Sequence, residues 1–108
     1  MIFVSAEDFY EKAASCKVLT REEEIRCAQA MQAGDAAARE KLIQSYLPMV
    51  AGRFRRADPG TQTLGLALYF CSYLERAVDS FDFLQDSEPF SHRLSWYLRQ
   101  AHASYLVR

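Results

Sequence analysis

The sequence has little glycine, proline or cysteine and no strong excess of charge of either sign. Its 108 residues include four Gly, three Pro and three Cys. So few glycines and prolines argue against collagen-like, linker-rich and turn-dense all-β chains. With 13 basic and 14 acidic residues and half of the chain hydrophobic, wholesale disorder is also excluded. A chain of this length forms one domain, which we expect over residues 1–108.

Cysteine spacing and the lack of a long apolar run bear on where the protein resides. Cys16, Cys27 and Cys71 are odd in number and too widely spaced for a disulfide framework or a CxxC metal site. We expect reduced thiols in the core, as in cytosolic proteins. The longest nearly uncharged run, residues 59–74, is too short for a membrane span, and the apolar first four residues are too few for a signal peptide. The expectation is a cytoplasmic protein with no membrane partner.

Residues with catalytic or metal-binding chemistry are also scarce. The two histidines, His92 and His102, lie ten residues apart, a separation that does not suit ligands of one metal on a helix. Asp79 and Asp82 could meet at a helix end, but neighbouring surface carboxylates are usually solvated. Neither a glycine-rich phosphate loop nor a nucleophile elbow is present. We therefore expect no enzyme activity, no metal and no cofactor.

What the sequence does contain is helical spacing of apolar residues, which predicts an all-α, compact bundle of about five helices. Thr20 and Glu23 form a capping box that begins the second helix, and Gly34 ends that helix. Asp35 begins a third helix, which Pro48 interrupts or starts again. The other predicted helices begin near Ser5, near Thr63 (ending near Phe81) and between Ser87 and Ser91 (running almost to the end).

The last predicted helix has two distinct faces. Its inward stripe is expected to contain Phe90, Leu94, Tyr97 with Leu98, Ala101 and Tyr105. Arg93, Trp96 and Gln100 recur at three- and four-residue steps on another face. An exposed aromatic could stack on an unpaired base, while an amide reads a base edge and an Arg holds phosphate. Periodicity alone favours the plainer alternative, in which Trp96 and Tyr97 complete the core and the polar pair is solvated.

Several blocks of the sequence, in order, resemble the bacterial RNA polymerase sigma factors. A Leu-Thr-x-Glu-Glu-Glu start, a Gly-Asp corner and an Ala/Arg-rich helix ending in Leu-Ile are similar to the end of that family's region 1 passing into region 2. Later blocks resemble its Tyr-x-Pro-Leu-Val, Arg-Ala-Val-x-x-Phe-Asp, Phe-Ser and Trp-Trp-Ile-Arg-Gln-Ala. The matching segments are Leu19–Glu24, Gln32–Ile43, Tyr46–Val50, Arg76–Asp82, Phe90–Ser91 and Trp96–Ala101.

This resemblance implies a helical domain that docks on the RNA polymerase core and captures the promoter minus-ten element. Residues 1–34 would be the region 1-like helices and residues 35–108 a region 2-like bundle. Given this resemblance, we interpret the polar face of the last helix as the candidate DNA-binding surface, and no longer expect Trp96 and Tyr97 merely to complete the core. The expected DNA-binding residues are Arg93, Trp96, Tyr97, Arg99 and Gln100.

The sequence departs from the family where partners bind. The family's polar Asp-Leu-Ile-Gln-Glu-Gly patch, which contacts the polymerase clamp, is replaced by the apolar residues Gly65–Phe70. Residues 85–89 are acidic where the family tends to be basic, and Arg93 stands where an aromatic is expected. From Ala51 onward the sequence contains seven Arg and six acidic residues. With so small a positive excess, counterion release would contribute little to DNA binding.

Two hypotheses follow from these similarities and departures. The first is a sigma-like transcription initiation protein that binds polymerase core and promoter DNA. The second is a sigma-derived interaction module without promoter binding, which binds a protein partner or a second copy of itself through the apolar fourth helix. The candidate polymerase or partner interface is formed by Gly65, Leu68, Tyr69 and Phe70. The second hypothesis loses its main support if the last three of these are buried within the monomer.

Overall fold

The computed structural model describes residues 2–107, and within that range the fold is all-α, as the sequence predicts. The two end residues of the predicted domain, Met1 and Arg108, lie outside the described residues. A short 3-10 turn, Pro59–Thr61, precedes the fifth helix. The α-helices are α1 (Ala6–Ala14), α2 (Arg21–Gln32), α3 (Ala36–Ser45), α4 (Leu47–Arg55), α5 (Leu64–Ser80) and α6 (Phe90–Leu106).

The ends of α2 and the start of α3 form as their local sequence dictates. Thr20 Oγ1 accepts a hydrogen bond from the Glu23 amide at 3.2 Å, and Glu23 Oε1 accepts one from the Thr20 amide at 3.0 Å. This capping box satisfies two amides that α2 leaves free. Gly34 follows α2 with a φ of +97°, a conformation that glycine adopts without strain. Asp35 then caps α3 by accepting from the amides of residues 37 and 38.

Pro48 accounts for a sixth α-helix in the described chain where the sequence predicts about five. The helix that follows Asp35 ends at Ser45, and α4 begins at Leu47 with Pro48 in its first turn. A proline is tolerated there because its missing N–H would have had no partner in the first turn of a helix. Of the two alternatives open at this proline, a new helix start is the one observed.

The longest apolar helix, α5, lies at the centre of the bundle. It contacts α1, α3, α4 and α6, which explains why it is apolar on most of its sides. α1 packs mainly on α4, and α2 packs mainly on α3. The buried residues of α5 come from both stripes seen in the sequence: Leu66, Ala67, Phe70, Leu74, Ala77 and Val78.

A cluster of aromatic rings fixes the start of α6. The Phe90 ring lies 5.1 Å from Phe81, 4.9 Å from Phe83 and 4.6 Å from Tyr46, measured between ring centroids. Edge-on and tilted packing of this kind adds to the stabilisation that burial provides. The cluster therefore joins the α3–α4 corner, the end of α5 and the first turn of α6.

The three cysteines are free, as predicted, but they lie at the margin of the core. Cys16, Cys27 and Cys71 are each half-buried, so the expectation of core thiols holds only in part. Burial raises the pKa of the Cys71 thiol to about 12, with Glu75 contributing a smaller effect. In residues 2–107 the helices fall short of the length and hydrophobicity that a membrane crossing requires.

Candidate nucleic-acid interface

The two faces predicted for α6 are both present. Phe90, Leu94, Leu98 and Ala101 are buried against the bundle. Trp96 points the other way, and 51% of its surface is exposed. The alternative in which Trp96 completes the core is therefore wrong. Each residue of an α-helix is rotated by about 100° from the one before it, so Trp96 lies on the side of α6 opposite the buried Leu94 and Leu98.

Trp96 stands at an open groove along the outer side of α6. The groove has a volume of about 750 Å³ and brings together four of the five predicted DNA-binding residues: Arg93, Trp96, Tyr97 and Arg99. Gln100 lies one turn beyond Trp96 on the same helix and is exposed. Sequence patterns missed three other groove residues, Glu88, His92 and Ser95, which only the helix geometry and the preceding loop bring to it.

Tyr97 and Arg93 are anchored, whereas Trp96 is open. The Tyr97 hydroxyl and Ser80 Oγ lie 3.0 Å apart, which ties the middle of α6 to the end of α5. The Arg93 guanidinium lies 5.9 Å from the centre of the buried Phe81 ring, within the range of a cation–π contact. Trp96 packs edge-on to Tyr97 with 5.3 Å between ring centroids. About half of the Trp96 surface is therefore open to solvent beside a tyrosine that is held in place.

Two arginines, Arg53 in α4 and Arg56 directly after it, extend the positive charge beyond the groove. Burial lowers the pKa of Arg53, and the nearby charges of Arg56 and Arg99 lower it further. In the part of the chain that the structure describes, these three residues form no ion pair. The run of arginines at 53–56 is visible in the sequence, but its proximity to α6 depends on tertiary packing.

The other end of the groove is acidic. Glu88 Oε1 lies 3.8 Å from His92 Nδ1, and both side chains are more than half exposed. The loop before α6 is folded by its own carboxylates, since Asp82 Oδ1 accepts from the amides of Leu84 and Gln85. Asp86 Oδ2 in turn accepts from the Asp82 amide at 3.1 Å. This acidic loop is ordered next to the groove.

The apolar surface predicted on α5 is mostly inside the molecule. Leu68 is 48% exposed and Gly65 is exposed, but Tyr69 is half-buried and Phe70 is fully buried. The expectation of an exposed patch is therefore wrong for Phe70, because that side of α5 faces α6. The Phe70 ring meets the His102 ring edge-on at 5.9 Å between centroids.

The C-terminal part of α6 covers the start of α5. Tyr69 Oη and Ser104 Oγ lie 2.7 Å apart, and the Tyr69 and Tyr105 rings are 5.3 Å apart. A Cβ on Gly65 would come within 2.8 Å of Tyr105 Oη. Most residues of Gly65–Phe70 therefore serve contacts within the chain, and of this segment Gly65 and Leu68 are exposed.

The aspartate weighed as a catalytic group has a structural partner. Asp79 accepts two hydrogen bonds from the Arg39 guanidinium, at 2.7 and 2.9 Å, which join α5 to α3. Glu75 Oε1 lies 3.6 Å from Arg39 Nη2. Arg39 lowers the pKa of Asp79 through these hydrogen bonds. Across residues 2–107 no group of three potential metal ligands is found.

Comparison with known proteins finds similarity to sigma-70 factors. Residues 15–37, which contain α2 and its Gly-Asp corner, match the model of "Sigma-70 factor, region 1.2". The chain is also 33% identical over 94 residues to the RNA polymerase sigma factor SigA of Clostridium acetobutylicum. The chain is related to the sigma-70 factors.

The sigma-70 relationship reaches well past the region 1.2 segment. The SigA alignment covers 86% of this chain, so it includes α2 through α5 wherever its ends fall. The chain spans 25% of the length of that SigA protein. The sequence resemblance is thus confirmed as a relationship to sigma-70 factors.

Proposed function

We propose that this chain is a sigma-like transcription initiation protein that binds promoter minus-ten DNA as a single strand along α6. The observation that carries the proposal is Trp96, an exposed aromatic in a groove that Arg93 and Arg99 flank. The proposed action is binding and positioning, not catalysis, and the proposed location is the cytoplasm.

The groove offers the chemistry that an unpaired strand needs. Stacking of a base on an aromatic side chain is worth about 1–3 kcal/mol. Arg99 can hold a phosphate, as can Arg93, and the exposed Gln100 can read a base edge one turn further on. A fixed Tyr97 beneath Trp96 limits the motion of the stacking surface, so less freedom is lost on binding.

RNA polymerase core is the proposed protein partner, and the relationship to SigA supports it. The exposed side of α5, with Gly65 and Leu68, is the proposed contact. Because the acidic and amide groups of the family's patch are absent, this contact would rely on apolar burial and should be weak.

The alternative is an interaction module that pairs with another protein or with itself through α5. It retains one supporting observation, the 48% exposure of Leu68, since Tyr69 and Phe70 contact α6. A single exposed leucine is common on monomeric proteins and does not by itself mark an interface.

Fluorescence anisotropy with a single-stranded minus-ten oligonucleotide tests the DNA proposal. Trp96→Ala should weaken binding by about 5–100-fold, the equivalent of one lost stacking contact. Leu106→Ala is the matched control, because Leu106 is exposed on the same helix and lies outside the groove. Absence of binding by the native chain, or equal binding by Trp96→Ala, would rule the proposal out.

Co-purification with RNA polymerase core tests the partner proposal. The native chain should be retained on immobilised core enzyme, and Leu68→Glu should reduce retention because it places a charge in an apolar contact. Glu22→Gln, a change on the exposed side of α2, serves as the control. Retention that Leu68→Glu does not change would place the contact elsewhere.

A further inference from the structure

Charge is distributed unevenly along the Trp96 groove. At one end, the charges of Arg99 and of Arg56, the residue after α4, both act on Arg53 of α4. At the other end Glu88 lines the groove beside His92. Trp96 lies between a positive end and a negative end.

The charge of Glu88 is not cancelled by its surroundings. Its nearest basic neighbour is His92, at 3.8 Å, and both side chains are more than half exposed, so solvent screens the pair. Arg21 and Glu88 both line a small hollow at this loop, but Arg21 Nη1 already lies 3.3 Å from Glu24 Oε1. Arg93 contacts the Phe81 ring and forms no ion pair with Glu88 within the described residues. A carboxylate charge is therefore presented to anything that enters the loop end of the groove.

We propose that Glu88 is a negative determinant of DNA affinity, repelling phosphate at the loop end so that the bound strand places its phosphates nearer Arg93 and Arg99. This inference rests on the proposed function, because it concerns the strand that Trp96 would stack. It also identifies a residue that determines affinity without contacting a base.

Electrostatics give the size of the effect. A phosphate about 6–8 Å from a carboxylate in water is repelled enough to change affinity by about threefold. The repulsion should decrease as salt is added, since at about 0.1 M salt the screening length is comparable with this separation. The same reasoning gives a loss of at least similar size when an arginine charge at the other end is removed.

The test is oligonucleotide anisotropy near pH 8, using the full chain and a single-stranded minus-ten probe. Glu88→Gln should bind about threefold more tightly at low salt, with the gain reduced at high salt. Glu11→Gln is the matched control: it makes the same change in net charge on α1, at an exposed residue outside the groove. Arg99→Gln should bind at least about threefold more weakly.

Each outcome separates this inference from the function on which it rests. If Trp96→Ala weakens binding and Glu88→Gln leaves it unchanged, the Glu88 inference is overturned and the DNA proposal stands. An equal gain in Glu11→Gln also overturns it, because net charge would then explain the result. If Trp96→Ala binds as the native chain does, the proposed function fails. Failure of the native chain to bind overturns both.

Discussion

At the scale of single residues, two neighbouring aromatics on α6 have different surroundings. Trp96 is 51% exposed, whereas Tyr97 is half-buried and within hydrogen-bonding distance of Ser80. Consecutive helix positions differ by about 100° in direction, so one side chain meets the bundle while the next meets solvent. Trp96 is therefore available for binding, whereas Tyr97 supports the Trp96 ring.

The contrast between buried and exposed rings predicts a separation of stability from binding. Phe90→Ala should reduce the free energy of unfolding by about 3–5 kcal/mol, because Phe90 is 2% exposed and three other rings surround it. Trp96→Ala should change it by less than about 1 kcal/mol. Urea denaturation followed by circular dichroism measures both. A large loss of stability in Trp96→Ala would mean that Trp96 is part of the core.

Two glycines offer a second comparison at this scale. Gly52→Ala on the exposed side of α4 should raise the free energy of unfolding by about 0.5–1 kcal/mol, since nothing obstructs the new methyl group. Gly65→Ala should be less stable than Gly52→Ala by about 1 kcal/mol, because its methyl would meet Tyr105 Oη at 2.8 Å. Thermal denaturation compares the two variants.

The Gly65 comparison has an internal control. Tyr105→Phe removes the obstructing oxygen, so the double variant Gly65→Ala/Tyr105→Phe should recover most of the difference. No recovery would mean that the methyl group meets something other than this hydroxyl. The pair thereby tests whether the end of α6 lies over the start of α5.

At the scale of elements, α2 is held mainly by α3 and by one polar contact to the α3–α4 corner. Tyr46 Oη donates to Glu24 Oε2 at 2.7 Å, and Glu24 is only 8% exposed. Burial, with the adjacent carboxylate, raises the pKa of Tyr46 and keeps its hydroxyl protonated. The same ring packs on Phe90, so one residue links α2 to the start of α6.

Removal of this hydroxyl should loosen α2. Tyr46→Phe should reduce the free energy of unfolding by about 1–2 kcal/mol, because the buried Glu24 carboxylate loses a donor. Hydrogen exchange should increase most in α2. Tyr10→Phe is the control, since the Tyr10 ring contacts Arg55 and its hydroxyl makes no hydrogen bond within residues 2–107. Equal effects of the two variants would contradict a role for the Tyr46–Glu24 contact.

The ion pair between α3 and α5 predicts a dependence of stability on pH. Arg39 lowers the pKa of Asp79 below its ordinary value of 3.8 in the folded chain. A lowered pKa contributes stability that is fully present above the unfolded value and is lost as pH falls through the folded value. The Asp79 side chain is 54% exposed, so the contribution should stay below about 1 kcal/mol.

Asp79→Asn measures that contribution directly. The difference in unfolding free energy between the native chain and this variant should be constant near neutral pH and should shrink as pH falls below about 4. Glu11→Gln, which alters an exposed acid on α1, should show no such trend. A difference that grows on acidification would mean that the carboxylate destabilises the folded chain.

At the scale of the whole molecule, the burial of Phe70 and the half-burial of Tyr69 favour a single copy. The described chain measures 40 × 24 × 21 Å, with a Cα radius of gyration of 13.8 Å. Small-angle scattering should therefore give a monomer with a radius slightly above this value, since hydration adds to it. A clearly larger radius that Leu68→Glu restores to the monomer value would instead support self-association through α5.

Much of the fold could be predicted from the sequence because its signals are local. The Thr20 capping box, the Gly34 corner and the helix start at Pro48 depend on residues within four positions of one another. The exposed face of α6 could also be predicted in part, because helix periodicity places Arg93 and Trp96 together.

Other features depend on contacts between distant residues. Periodicity shows that α5 is apolar all round, but only the position of α6 shows that Phe70 is buried and Leu68 is not. Likewise the approach of Arg53 to Arg99 joins two helices far apart in the chain. Hydrophobic burial has no direction of its own, so an apolar side chain does not specify which neighbour covers it.

The near-balance of charge shows the same division. The sequence by itself determined that the chain is a small helical domain with too little net charge to hold DNA by bulk electrostatics. Only the tertiary structure decided that arginines gather at one end of the Trp96 groove and Glu88 at the other. Amino-acid composition gives only the number of charges. Their positions depend on how the helices pack, and electrostatic interaction depends on the distance between charges.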